Sequence, residues 1–217
     1  ATDVMEYKRM GYLSEALLNF LVRLGWSHGD DEIFSINDMK RLFDPNHLSK
    51  SSSTFNQTKL EWLNAHYIKT ANTERILDEL EDLGVNVRNH AKKELLIDQY
   101  RERSKTLIEM ANGINSLLNE PQNYDEKAYN KFINENSLQI LAEFSEILKP
   151  NLTAIDYEEA TMKFLESKGA KLKDLAQAVR VALTGTSVSP SIFEVIEILG
   201  SECVKERISK LINFAKK

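Results

Sequence analysis

Proline and glycine are scarce in this chain of 217 residues, at four and eight. Long helices are therefore seldom interrupted by a missing N–H or a missing Cβ. The single cysteine, Cys203, excludes an internal disulfide framework and fits a reducing compartment. No apolar run approaches the roughly 20 residues needed to cross a bilayer. Ala1–Thr2–Asp3 is acidic with no apolar stretch behind it, unlike a cleavable signal. Methionine is absent from the first position, and we expect a piece of a longer, cytoplasmic, monomeric protein. What is present is a soluble globular balance, 42 % apolar and 28 % charged, with length for one or two domains.

Chemistry-bearing patterns are missing as well. There is no CxxC metal spacing, no GxGxxG and no GxxxxGK[ST]. His28, His47, His66 and His90 are scattered without paired ligands, so no metal site and no catalytic residue is expected. Cys203 has only Lys205 and Arg207 nearby to activate it, and packing is its simpler role. Leu48-Ser-Lys-Ser-Ser52 superficially resembles an ATP-binding KMSKS loop, but its setting between Asp44–Pro45 and Phe55 does not suit one.

Net charge is −5, which alone argues weakly against nucleic acid. Its distribution is uneven. Residues 163–217 hold ten Lys/Arg against six Asp/Glu, and residues 88–105 hold six against three. Two basic regions on an acidic body suit contact with RNA at chosen places; ordinary solvated helix faces are the plainer alternative.

Apolar spacing is helical nearly throughout, which gives an all-α expectation. Leu17, Phe20, Leu21 and Leu24 lead to Gly25, placed as a left-handed helix end. Ser35 caps a helix with Ile36, Met39 and Leu42, and Asn56 one with Leu60, Leu63 and Tyr67. Ile76, Leu80 and Leu83 run to Gly84. Leu96, Tyr100, Arg103, Leu107, Met110 and Ile114 step by four and three as one long helix. Leu172, Leu175, Val179 and Leu183 end at Thr184–Gly185. Ser189–Pro190 opens a helix with Ile192, Val195, Ile196 and Leu199, the proline at its first position. Gly200–Ser201 precedes a last helix with Val204, Ile208 and Leu211. Ser49–Thr54 reads as a loop, and Glu120–Asp125 as the best internal boundary.

Two stretches resemble class I glutamyl-tRNA synthetases. The first is Gly11-Tyr-Leu-Ser-Glu-Ala-Leu-Leu-Asn-Phe-Leu-Val-Arg-Leu-Gly-Trp26, then Phe43 and Phe55-Asn-Gln-Thr-Lys-Leu-Glu-Trp-Leu-Asn64. The second is Lys171-Leu-Lys-Asp-Leu-Ala-Gln-Ala-Val-Arg-Val-Ala-Leu-Thr-Gly185, then Ser189–Pro190, Phe193–Glu194 and Leu199–Gly200. Order and spacing agree with the family along the whole chain, most weakly in the middle. Ser14 stands where proline is usual and Asn56 where aspartate is usual, and both are expected to cap helices. The resemblance implies a helical stem-contact domain at 1–66 and two anticodon-binding modules at 67–125 and 126–217. It also implies tRNA(Glu) as the partner, and a catalytic domain using ATP and Mg²⁺ upstream of these residues, with no cofactor held by the chain itself.

The resemblance also assigns residues. Arg103, within Arg101-Glu-Arg-Ser-Lys-Thr-Leu107, matches a family arginine that hydrogen-bonds the third anticodon base and favours cytosine. Its place on an apolar stripe would demand a partner for a buried guanidinium; an internal ion pair or a side chain snorkelling to solvent is the structural alternative. Arg180, Ser189, Pro190 and Ile192 fall where the family meets the first two anticodon bases, although Ser189 could be only a cap and Ile192 only core. Lys92, Lys93, Arg101, Lys168, Lys171 and Lys173 are candidate phosphate contacts, which position RNA without reading it. Trp26 and Trp62 are expected to pack. A helical protein-interaction scaffold, and a synthetase that also charges glutamine tRNA, remain as rivals.

Overall fold

The computed structural model describes residues 3–49 and 54–216. Most of the Ser49–Thr54 loop, and with it Lys50, Ser51 and Ser52 of the KMSKS-like run, lies outside the described residues. The fold is all-α, with helices and turns and no strand among the described residues. The chain divides into two compact units, one up to Asn89 together with Tyr100–Asn112, the other His90–Gln99 together with Gly113 onward.

The first unit contains α1 (Val4–Arg9), α2 (Ser14–Gly25), α3 (Ile36–Leu42), a 3-10 turn (Pro45–His47), α4 (Gln57–Thr70) and α5 (Thr73–Asp82). Helices α2 and α4 pack through Leu17, Phe20, Leu60 and Leu63, and Trp26, Phe34 and Met39 form a smaller cluster beside Val22 and Leu42. Two fully buried asparagines satisfy the loops between these helices. Asn19 donates to the Glu32 carbonyl (3.0 Å) and accepts from the Phe34 N–H (2.7 Å) and the Tyr67 hydroxyl (2.8 Å). Asn64 accepts from the Leu13 N–H (2.8 Å) and donates to the Gly11 and Lys105 carbonyls (3.1 and 2.7 Å). Burying such amides is tolerable because each has its partners.

The second unit is built on α9 (Glu135–Ile147), α11 (Leu172–Thr184) and α13 (Ser201–Ala215), which pack on one another, with α10 (Ala154–Lys168) against α12 (Ile192–Leu199) and α8 (Glu126–Phe132) against α11. Helices α8 to α10 come from the middle stretch, where apolar spacing placed no individual helix. Their starts are marked by caps: Asp125 accepts from the Ala128 N–H (2.8 Å), and Asn134/Ser137 and Thr153/Asp156 form reciprocal boxes.

Gly25 is the last helical residue of α2, and the chain leaves through extended Trp26 rather than a left-handed glycine. Ser14 is the first helical residue of α2 and not its cap; the cap position is Leu13. Trp26 is core, but Trp62 is 47 % exposed, with the Lys59 ammonium 4.3 Å from its ring centroid. Asn56 does cap α4, accepting from the Lys59 N–H at 3.1 Å.

The structure also differs at the single long helix expected through Leu96–Ile114. It is two helices, α6 (Lys93–Arg101) and α7 (Leu107–Leu118). The break is chemically specified. The Ser104 hydroxyl donates to the Tyr100 carbonyl (2.7 Å), the Thr106 hydroxyl accepts from the Glu109 N–H (3.1 Å), and the Glu109 carboxylate reaches back to the Lys105 N–H (2.7 Å). These bonds start a new helix where apolar spacing alone continues the old one.

Candidate nucleic-acid interface

Helices α11 and α12 pack together and are joined by residues 185–191. The joint begins at Gly185, whose φ of +75° is open to glycine and strained for other residues. A Cβ there would stand 2.6 Å from the Asn123 carbonyl oxygen. The Gly185 N–H donates to the Val181 carbonyl (2.9 Å), and its own carbonyl accepts from the Asp125 N–H (2.7 Å). From there the loop is held largely by its own hydroxyls: Thr184 donates to the Arg180 carbonyl (2.9 Å), Thr186 to the Val188 carbonyl (3.0 Å), and Ser189 to the Pro190 carbonyl (2.7 Å). Val188 at its tip is 79 % exposed.

The start of α12 differs from expectation. The cap position belongs to exposed Ser191, and the helix begins at Ile192, so Pro190 precedes the helix rather than opening it. The Ser191 side chain makes no capping hydrogen bond to the first amides of α12. Arg180 and Ser189 are half-buried, Pro190 and Ile192 buried. Ile192, at 3 % exposure, is part of the core. The second unit thus brings Arg180, Ser189, Pro190 and Ile192 onto consecutive elements around one loop. Two acceptors in the same elements, Gln177 Oε1 on α11 and Glu194 Oε2 in the first turn of α12, are buried without a hydrogen-bond partner among the described residues; sequence spacing gave no sign of either.

Arg103 lies in the first unit, exposed in the turn between α6 and α7, not buried on a helix stripe. Its N–H donates to the Tyr100 carbonyl (3.2 Å). Tyr100 beneath the turn is buried, which pushes its phenol up to about 12 against the opposing pull of the Arg103 charge.

The remaining basic residues divide. Arg101 donates to the Lys69 and Ala71 carbonyls (3.2 and 2.9 Å) and the Thr73 hydroxyl (3.2 Å), fastening the end of α4 to the start of α5. Lys92 pairs with Glu197 at 2.7 Å and Lys168 with Glu143 at 2.5 Å. Those three have tasks inside the fold that their sequence setting did not reveal. Lys93 is half-buried, and Lys171 and Lys173 are exposed on the approach to and first turn of α11. Cys203 is half-buried.

The described residues include no group of three or more His, Cys, Asp or Glu able to hold a metal ion, and no helix among them is long and apolar enough to cross a membrane. Residues 49–212 match the family model described as an anticodon binding domain. The chain belongs to the anticodon-binding domain family. Residues 1–62 match the model of the class I tRNA synthetase (E and Q) catalytic domain, a range that includes most of the stretch expected to contact the tRNA stem. Within this family the chain is homologous to glutamate–tRNA ligases. It is 68 % identical over 98 % of its length to glutamate–tRNA ligase 1 of Campylobacter hominis, covering 46 % of that protein. It is 42 % identical over 98 % of its length to glutamate–tRNA ligase 1 of Aliarcobacter butzleri, again covering 46 %. A crystal structure of a glutamate tRNA ligase from Elizabethkingia meningosepticum in complex with its amino acid superimposes with a TM-score of 0.87 at 27 % identity, over 98 % of this chain and 45 % of that one. The chain spans about half the length of the relatives it matches. Its all-α architecture is that of the corresponding half of the solved ligase.

Proposed function

We propose that the chain is the tRNA-contacting, anticodon-reading part of a glutamate–tRNA ligase. The observation that carries this is the anticodon-binding domain match over residues 49–212, within which Arg180, Ser189, Pro190 and Ile192 surround one loop. RNA sequence is read best on unstacked single-stranded bases, through edges that accept and donate hydrogen bonds. The side of the loop supplies a guanidinium at Arg180 and the first amides of α12; buried Pro190 and Ile192 set the backbone path. Arg103, exposed in its turn, takes the third base: cytosine offers O2 and N3 to a planar multi-donor cation. Lys93, Lys171 and Lys173 are the phosphate contacts of choice, and Lys92, Arg101 and Lys168 are reassigned to the fold.

In this reading residues 1–66 touch the tRNA stem, and 67–125 and 126–217 are the two anticodon-binding modules. The whole ligase, a cytoplasmic monomer, joins glutamate to tRNA(Glu) with ATP and Mg²⁺ in a domain upstream, and the chain alone is inactive. The test is binding of the chain to an anticodon stem-loop RNA in a gel shift. Binding that exceeds that of an equally charged helical control and falls steeply with salt supports the proposal; binding no better than the control, or ATP–pyrophosphate exchange by the chain alone, contradicts it.

A further inference from the structure

Arg207 sits on α13 three residues after Val204 and four before Leu211, on the apolar stripe, and is 3 % exposed. A buried guanidinium needs compensation, and here it comes from backbone. Nη1 donates to the carbonyls of Leu117 (2.9 Å) and Leu183 (2.5 Å), and Nη2 to that of Leu118 (2.9 Å). Nε is buried and donates to nothing among the described residues. Leu117 and Leu118 end α7, and Leu183 is in the last turn of α11. Such carbonyls lack helical partners and carry the negative end of the helix dipole, so a fixed cation is well placed on them.

Leu183 stands two residues before Gly185. From one side Arg207 holds the Leu183 carbonyl; from the other the Asp125 N–H holds the Gly185 carbonyl, and the Asn123 carbonyl leaves no room for a Cβ. Beyond this clamp the loop is exposed at Thr186 and Val188 and relies on its own hydroxyls. Its direction is therefore set where Arg207 acts.

We infer that Arg207 is a positioning residue, which aims the Thr184–Ser191 loop at the first two anticodon bases through the Leu183 carbonyl without touching RNA. The inference rests on the anticodon-reading function proposed above. Affinities of the chain for anticodon stem-loops substituted one base at a time test both. Arg207→Lys keeps the charge but presents one ammonium to three carbonyls. Discrimination at the first two bases is expected to fall about ten- to hundredfold, the upper figure being the cost of a misplacement of order 1 Å. Discrimination at the third base, assigned to Arg103 in the other unit, is expected to stay within about twofold, as for sites without shared partners. A general loss of structure would instead depress all three together, and that outcome, or unchanged discrimination at the first two, overturns the inference. Indifference of the unsubstituted chain to every anticodon base would remove the underlying function as well. Amide exchange of the unsubstituted chain serves if the variant fails to fold: Gly185 and Asp125 N–H groups as protected as the α11 core are expected, and free exchange there overturns the clamp.

Discussion

The Lys92 ammonium lies 2.7 Å from one oxygen of the Glu197 carboxylate, and the other oxygen accepts the Ala154 N–H at 2.7 Å. One carboxylate thus holds a lysine and supplies an acceptor to the first residue of α10, where a negative charge is favoured. Lys92 is spent on this contact. Glu197→Gln should destabilise the chain by about 1 kcal/mol in urea unfolding, the usual scale for a charged hydrogen bond made neutral. Lys92→Ala should leave the salt dependence of RNA binding unchanged; a slope shallower by about one phosphate would restore Lys92 as an RNA contact.

Arg103→Gln should relax choice at the third anticodon base while leaving the first two unaffected. The expected loss is about 1–3 kcal/mol of discrimination, the scale of one good base contact carried over from double-stranded readout. Charging of glutamate and glutamine tRNAs by the full-length protein is the measurement. An undiminished preference for glutamate tRNA in that variant removes Arg103 from the reader.

Gly11 tests the first unit. Its φ is +86°, and a Cβ would approach the Ile108 and Leu107 nitrogens at 2.6 and 2.9 Å, both backbone atoms. Its carbonyl accepts from the Leu107 N–H (2.9 Å) and Asn64 (3.1 Å). Gly11→Ala should therefore destabilise by about 3 kcal/mol or more, combining strain with overpacking. A change in chemical denaturation midpoint worth under about 1 kcal/mol would show that the backbone there yields.

His90 gives the chain an acid-sensitive element. Burial lowers its pKa from the ordinary 6.5, and its Nδ1 accepts the Lys92 N–H at 3.1 Å, which requires the neutral ring. Above pH 6.5 the folded and unfolded forms are both neutral and the contact contributes fully. As pH falls from 6.5 through the lowered folded value, the unfolded chain binds the proton first and stability drops. His90→Asn should remove that part of the acid loss. An NMR titration placing His90 at or above 6.5 would contradict it.

Much of this was legible in the sequence. The all-α class, the stripes of α2, α4, α5, α11 and α13, the caps at Ser35 and Asn56 and the helix ends near Gly84 and Gly185 followed from spacing and cap chemistry. The break after α6 was legible too, in the capping-box pattern Thr106-Leu-Ile-Glu109, but apolar spacing masked it. The arginine that an apolar stripe buries is Arg207, in register with Val204 and Leu211, whereas Arg103 is exposed in its turn. What Arg207 and Arg101 bind could not be read, because the acceptors described for them are mainly backbone carbonyls, which every residue has. The ion pairs of Lys92 and Lys168 depend on residues 105 and 25 positions away, a separation local pattern does not reach.

The central claim is that bases meet the protein at the Arg103 turn and at the Thr184–Phe193 segment. Amide chemical-shift changes on titrating the isotope-labelled chain with a glutamate anticodon stem-loop test it directly. The largest changes are expected at Gly185–Phe193 and at Glu102–Lys105, reduced when the anticodon bases are replaced and the stem is kept. Changes confined to other surfaces, or identical for both RNAs, would contradict it.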